Sequence, residues 1–185
     1  MSAMVKNSFD SLKYFELIRE ATLKLAKGKD YQKAVDIFFN CWKHKGVVFT
    51  MGCGGSASTA THFAADLAKT TRVEGKPMFK AVSLVDNIPL VSAWTNDFGW
   101  GSIFTGQLES WLNKDDILVG FSVHGGSGQW QAGKWSQNLV AAMELAKKRK
   151  AKIIGFSGFN GGVIKKMADV CLVVPINSEV YGTPV

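Results

Sequence analysis

Long apolar runs are missing from this chain. Its apolar stretches are of strand length in a sequence of 185 residues, which excludes a bilayer-spanning helix. The first residues, MSAMVKNSFDS, lack the apolar core of a secretory leader. Cysteine is scarce: Cys41, Cys53 and Cys171 are odd in number and widely spaced, which fits neither a disulfide framework nor a zinc cluster. They read as reduced thiols, and a cytoplasmic location is the expectation. With only four prolines and no low-complexity tract, the composition is that of a globular chain. Acidic residues are the minority, 15 against 22 Lys and Arg, for a formal charge of +7.

What remains suffices for a core. The residues are 46% hydrophobic and 20% charged, and 185 of them can fold as a single domain over 1–185. The positive balance suits an anionic partner, either a phosphorylated metabolite or nucleic acid. The densest basic run, Lys147-Lys148-Arg149-Lys150 with Lys152, falls at the end of a predicted helix, where cations complement the dipole. No nucleic-acid-binding motif accompanies it, so it reads as a solvated helix end and nucleic acid is not expected as a partner.

Two helices are predicted first. One is capped by Asn7 or Ser8 and stopped by Gly28. The other is capped by Asp30, carries Tyr31, Ala34, Val35, Phe38, Phe39 and Trp42 at helical spacing, and ends at Gly46. They should form a hairpin over residues 1–45 that lies outside the sheet. Phe9, Phe15 and Ile18 give it more apolar surface than a lone helix should expose, which points to subunit contacts. From residue 46 onward, strands alternate with helices. The runs Val47–Thr50, Phe79–Leu84, Ile117–Phe121, Ile153–Phe156 and Val170–Val174 read as buried strands of an α/β parallel sheet with helices on both faces. Asn96-Asp97-Phe98-Gly99 reads as a loop, with Ile103, Phe104, Leu108, Trp111 and Leu112 inward on the helix after it. A later helix reaching Arg149 turns Trp135, Leu139, Met143 and Ala146 inward. Ligands on such sheets sit at the carboxyl ends of the strands, where the stretches 52–58, 86–97 and 122–128 carry the unusual residues.

In the first stretch, Gly52, Gly54 and Gly55 form a tight turn into an alanine-rich helix with Ser56 at its mouth. Backbone N–H groups and the helix dipole there favour an anion. Ala57, Ala60, Ala64 and Ala68 make a stripe for close packing, while His62 and Asp66, four apart, share a face. Such a pair is a functional couple or, as readily, a surface ion pair. The third stretch, Ser122-Val123-His124-Gly125-Gly126-Ser127-Gly128, forms a cup suited to a compact phosphate, against the plainer reading of a glycine-rich connection. Gly52-Cys53-Gly54-Gly55-Ser56-Ala57 also fits a G-x-G-x-x-A dinucleotide fingerprint, with Asp86 as the ribose-binding acid. The phosphate cup argues against that, so no nucleotide cofactor is expected.

At these residues the sequence resembles the phosphoheptose isomerases, sugar isomerase (SIS) domain proteins that interconvert sedoheptulose 7-phosphate and a heptose 7-phosphate. The likeness lies in Gly52 to Ala57, His62-Phe63-Ala64-Ala65-Asp66-Leu67, Asn96 to Gly99, Ser122 to Ser127 and Ala168-Asp169-Val170-Cys171, in the family's order and spacing. It implies a flavodoxin-like five-stranded sheet, two leading helices in a bundle, and a homotetramer with sites at subunit contacts. It implies that Ser56, Ser122, His124 and Ser127 hold a sugar phosphate of the heptose class, with loop N–H groups around Cys53, Gly54, Gly55 and Val123. Asn96 and Asp97 would hold sugar hydroxyls. Asp66 would be the base of an aldose–ketose isomerisation through an enediol. His62 and Asp66 would ligate a divalent metal such as zinc, as in some family members.

The chain also departs from that family. Cys53 stands where an Asn is usual, Val123 and His124 replace hydroxyl residues, and Asp66 replaces a Glu. The run from Gln129 to Trp135 differs from the residues expected after that loop in the family. The sequence ends at Val185, where the family continues into a helix with an active-site Gln and His, so the sheet domain (46–185) is expected to lack its C-terminal helix. These departures favour a second reading, a non-catalytic sugar-phosphate-binding or scaffold SIS protein, like the tetrameric adaptor of the bacterial replication initiator. For residues 1–185 the expectation is binding without appreciable turnover.

Overall fold

The computed structural model describes residues 10–126, 136–178 and 180–181. It opens with helices α1 (Ser11–Ala26) and α2 (Lys29–Lys43). Asp10 caps α1, its carboxylate accepting from the amides of Leu12 and Lys13 at 3.0 and 3.2 Å. The expected caps, Asn7 and Ser8, lie outside the described residues. Helix α2 begins behind Gly28 with no side-chain cap, and Asp30 sits inside the first turn rather than ahead of it. There its charge complements the dipole instead of bonding an amide. The left-handed residue after α2 is Lys45, with φ +58°. Gly46, one further on, is needed for space: a Cβ would lie 2.2 Å from the Asp115 carbonyl oxygen.

Strands β1 (Val47–Met51), β2 (Lys80–Ser83), β3 (Ile117–Ser122), β4 (Lys152–Ser157) and β5 (Val170–Val173) form one parallel sheet. Their order is β2-β1-β3-β4-β5, the flavodoxin-like arrangement. The chain leaves β1 toward one edge and resumes at β3 toward the other, so the topological switch point lies between β1 and β3. Val48, Phe49, Leu118, Val119, Ile153 and Ile154 are each at most 1% exposed, as strands covered on both faces require.

One face is covered by α2 and by α3 (Gly55–Lys69), with Ala34, Cys41 and Ala60 against Val48, Ile117 and Ile154. The hairpin therefore does not lie wholly outside the sheet. Helix α2 belongs to the covering layer because its apolar stripe finds the sheet, and α1 stands outboard with Ala21 against Ile176 and Tyr181. The other face carries α4 (Ile88–Phe98), a 3-10 turn (Trp100–Ser102), α5 (Thr105–Leu108), α6 (Gln137–Arg149) and α7 (Gly162–Met167). Phe49, Leu118, Phe104, Leu108, Leu139 and Met143 share that core. Side chains of this size contribute about 2 kcal/mol each on full burial.

Two local expectations are corrected. Asn96, Asp97 and Phe98 are helical, because α4 is capped by Asn87, has proline in its first turn and stops only at Gly99, with φ +83°. Ile103, Phe104, Leu108 and Leu112 do turn inward, but Trp111 is 57% exposed. The 3-10 turn and the four-residue α5 are separate elements, so one helical phase does not carry through to Trp111. On α6, Leu139, Met143 and Ala146 are buried as expected, while Trp135 lies outside the described residues. Among the described residues no helix is long and apolar enough to cross a membrane.

Candidate functional site

The turn after β1 is dictated by glycine. A Cβ on Gly52 would lie 2.3 Å from the Ser56 carbonyl oxygen, so only glycine lets the chain double back into α3. Gly54, with φ +57°, precedes the helix and offers no side-chain cap. A Cβ on Gly54 or Gly55 would meet nothing within 4 Å, so this side of the turn faces open space. An uncapped helix terminus facing open space has room and partial charge for an anion. Behind it, the Thr50 hydroxyl donates to the Ala60 carbonyl at 2.8 Å, and buried Ala60 and Ala64 draw α3 onto the sheet.

The turn after β3 is the neighbouring one across the switch point. The Ser122 Oγ accepts from the Gly126 amide at 3.0 Å, and the Ser122 carbonyl from the Gly125 amide at 3.0 Å. Gly125 and Gly126 have φ of +64° and +75°. The loop after β4, read from sequence only as a connection, forms the floor of this turn. The Gly158 amide donates to the Val123 carbonyl and the Ile164 amide to the Gly125 carbonyl, both at 2.9 Å. His124, exposed, stacks on Phe159 of that loop with ring centroids 4.7 Å apart. Ser127 lies outside the described residues.

Asn138, fully buried in the first turn of α6, ties that helix to the turn after β1. Its Nδ2 donates to Cys53 Sγ at 3.3 Å, and its Oδ1 accepts from the Leu139 amide at 2.8 Å. Cys53 packs against the core beneath the first turn, and burial pushes its thiol up despite the Asn138 hydrogen bond. Burial pushes Cys41 up to about 12, helped by Asp116 and Asp115, and Cys171 up to about 11. Such thiols are not nucleophiles at neutral pH. Asn138 was missed in the sequence because a buried amide has no motif; only its place just after Ser136 at a helix start hinted at it.

On α3 the His62 Nε2 and Asp66 Oδ2 are 3.1 Å apart, with side chains 78% and 61% exposed. The Thr70 hydroxyl donates to Asp66 Oδ1 at 3.1 Å. A groove of about 420 Å³, lined by Ser58, Thr59, His62, Phe63 and Asp66, follows the outer face of the helix. It starts one turn from the uncapped helix start, and Asp66 lies about 16 Å along the axis from Gly55. The described residues hold no group of three or more His, Cys, Asp or Glu that could bind a metal. Among the described residues His62 and Asp66 are two donors where zinc takes three or four, so they do not by themselves make the expected metal site.

Asn96 and Asp97 sit on the last turn of α4 and are paired with each other, Nδ2 to Oδ1 at 2.8 Å. Asp86 accepts from the Thr61 hydroxyl at 2.6 Å, so the carboxylate of the dinucleotide reading is already engaged. It borders a separate, mostly apolar cavity of about 580 Å³ beside edge strand β2, with Ala64, Ala68, Leu90, Trp94 and Trp111 on its walls. None of the residues expected to hold a sugar phosphate lines that cavity.

A parallel sheet with two glycine turns at its switch point defines a class, and residues 13–158 match the SIS domain family, to which the chain belongs. Within that family its likeness is to the phosphoheptose isomerases, in sequence and in fold. The phosphoheptose isomerase of Helicobacter pylori is 33% identical over 165 residues, covering 88% of this chain and 81% of that protein. The structure of phosphoheptose isomerase GmhA from Neisseria gonorrhoeae superposes with a TM-score of 0.76 at 28% identity, covering 94% of this chain and 88% of that one. That of a phosphoheptose isomerase from Francisella tularensis gives 0.79 at 26%, covering 95% and 92%. The lincomycin biosynthesis protein LmbN of Streptomyces lincolnensis is 45% identical over 148 residues, 80% of this chain and 53% of that protein. The chain thus spans about half the length of that relative.

Proposed function

We propose that the chain binds a phosphorylated sugar of the heptose phosphate class at the switch point and interconverts its aldose and ketose forms. The observation that carries this reading is the pair of glycine turns after β1 and β3, which leave neighbouring strands at the switch point. The phosphate sits at the uncapped start of α3, held by backbone around Gly54, Gly55 and Val123 and by the side chains of Ser56, Ser122 and His124. Ser127 belongs to the same set by sequence. Cys53 acts from below, as support for the turn. The carbon chain follows the groove along α3, with Asn96 and Asp97 assigned to sugar hydroxyls.

Isomerisation moves one proton between C1 and C2 while the carbonyl changes place, and it needs a base beside those carbons. Asp66 Oδ2 takes the proton from the carbon next to the carbonyl, the hydroxyl proton passes to the former carbonyl oxygen across the enediol stage, and Asp66 returns its proton to the neighbouring carbon. His62 orients that carboxylate through its hydrogen bond. A homotetramer in the cytoplasm fits this reading: Leu12 and Phe15 on α1 are 77% and 65% exposed, apolar surface suited to burial between copies.

A second reading, sugar-phosphate binding without chemistry, is favoured by the way both Asp66 oxygens are held, by His62 and by Thr70. Incubation with sedoheptulose 7-phosphate, followed by NMR of the sugar, separates the two. New aldose signals are what this reading requires; binding without conversion, the outcome expected from the sequence, would favour the second reading, and neither binding nor conversion would remove both.

A further inference from the structure

Among the described residues, Lys45, Lys150 and Phe159 are the non-glycine residues with positive φ, at +58°, +62° and +50°. The two lysines follow the ends of α2 and α6, where a left-handed residue is an ordinary way to finish a helix. Phe159 finishes no helix. It stands in the loop after β4, a bulky residue in a conformation such residues seldom adopt. Glycine would suit that φ better, and the chain uses glycine freely around it, at Gly158, Gly161 and Gly162. A phenylalanine in place of a fourth glycine points to a use for its ring.

The ring lies against His124, with the planes 24° apart and the centroids 4.7 Å apart. The two loops that carry these rings are fastened backbone to backbone, through the Gly158 amide on Val123 and the Ile164 amide on Gly125. Gly125 also lies so close to Gly161 that a Cβ would fall 2.0 Å from its carbonyl oxygen. That interlock fixes where Phe159 stands relative to His124. The imidazole itself is exposed, where it would otherwise turn freely among rotamers.

We propose that Phe159 is a positioning residue for sugar-phosphate binding: its ring is a plate that sets the orientation of the His124 imidazole at the phosphate turn. The proposal rests on the reading of this end of the sheet as a phosphate site. Stacking occupies the face of the imidazole and leaves its edge, with the ring N–H, able to donate to a phosphate oxygen. An imidazole already oriented loses less freedom when the anion arrives, which is a gain in affinity without a new contact.

Calorimetry with inorganic phosphate on the full chain tests this. Phe159→Ala and Phe159→Gly both remove the ring, but only glycine suits the backbone. Both should bind phosphate up to about tenfold more weakly, the cost of ordering one free side chain, although the glycine variant melts at the higher temperature. Phe159→Tyr, which keeps the plate, should recover most of the affinity. His124→Ala should show the same loss, and the double variant His124→Ala/Phe159→Gly no further loss, because the two residues act as one unit. Wild-type affinity in Phe159→Gly would mean that the residue serves only the turn, and the proposal would fall. Additive losses in the double variant would overturn it as well. A wild-type chain that binds no phosphate would overturn the site reading and this inference together, a result distinct from any pattern among the variants.

Discussion

At the amino end of the sheet, Asp116, only 4% exposed, accepts from the amides of Val47 and Asn113, both at 2.7 Å. Asp169 there accepts from the Ile153 amide at 2.9 Å and from Lys152 Nζ at 2.7 Å. At the carboxyl end the turn after β1 enters α3 with no side-chain cap, and the side that would bear a Cβ faces open space. The elementary interaction is the same at both ends, an anion on peptide N–H groups. At one end the protein supplies the carboxylate, and the result is stability. At the other end the uncapped turn faces open space, and an external anion is the occupant we propose. On that reading one parallel sheet separates the work of folding from the work of recognition.

The largest effect on this comparison should come from Gly125→Ala, which strikes the carboxyl end. The new Cβ would sit 2.0 Å from the Gly161 carbonyl oxygen, backbone that cannot step aside like a flexible side chain, and φ is +64°. Overpacking together with a left-handed alanine should cost roughly 3–4 kcal/mol in urea unfolding and abolish phosphate binding. Wild-type stability in that variant would show that the loops after β3 and β4 are not interlocked.

The amino end should respond in the opposite way, losing stability and keeping phosphate affinity. Asp116→Asn leaves one backbone amide facing an NH2 group inside the protein, a loss of about 2–3 kcal/mol. Asp169→Asn should cost less, about 1 kcal/mol, since the ion pair with Lys152 is partly exposed. Burial alone would raise the Asp169 carboxyl. The hydrogen bonds from Lys152 and the Ile153 amide, with the charges of Lys152 and Lys33, outweigh it and hold the group below its ordinary value. A depressed carboxyl contributes stability at neutral pH that is lost as pH falls below about 4. Urea midpoints for wild type and Asp169→Asn should therefore converge in acid. Parallel curves would remove Asp169 from the account, and weakened phosphate binding in either variant would blur the division between the two ends.

The fold was legible because its signals are local. Five apolar runs separated by helical spacing require covered parallel strands, and glycines at 52, 54 and 55 require a turn into a helix. The joints between those parts were not legible. Asn138 meets Cys53 across 85 residues of sequence, and Phe159 meets His124 across two separate strand ends. Neither contact leaves a periodicity or a spacing to read. The glycine-rich run from Gly158 to Gly162 was the one available signal that a third loop serves the site, and it reads as an ordinary connection until β4 is seen beside β3. Helix ends erred for a related reason: Asn87 and Gly99 set the length of α4 through capping and a positive φ, against the loop-like composition of Asn96 and Asp97.

Asp66→Asn should have the smallest effect on the fold and is the sharpest test of function at the carboxyl end. The side chain is 61% exposed, and its partners His62 and Thr70 lie on the same helix surface. Stability should change by no more than about 0.5 kcal/mol, as for other surface substitutions. Phosphate affinity should hold, because the carboxylate stands about 16 Å along α3 from the helix start proposed to take the anion. Asparagine cannot accept the proton that isomerisation moves, so kcat for sedoheptulose 7-phosphate should fall about 10²–10⁴-fold with KM little altered. The aspartate is also one methylene shorter than a glutamate, and a displacement of about 1 Å at a reacting group can cost about a hundredfold in rate. Asp66→Glu should therefore raise turnover if reach is what limits this chain. An unchanged kcat in Asp66→Asn would place the base elsewhere and make the α3 groove a binding surface only. Turnover that appears in Asp66→Glu from an inactive wild type would assign the lost activity to reach, with the rest of the site already competent.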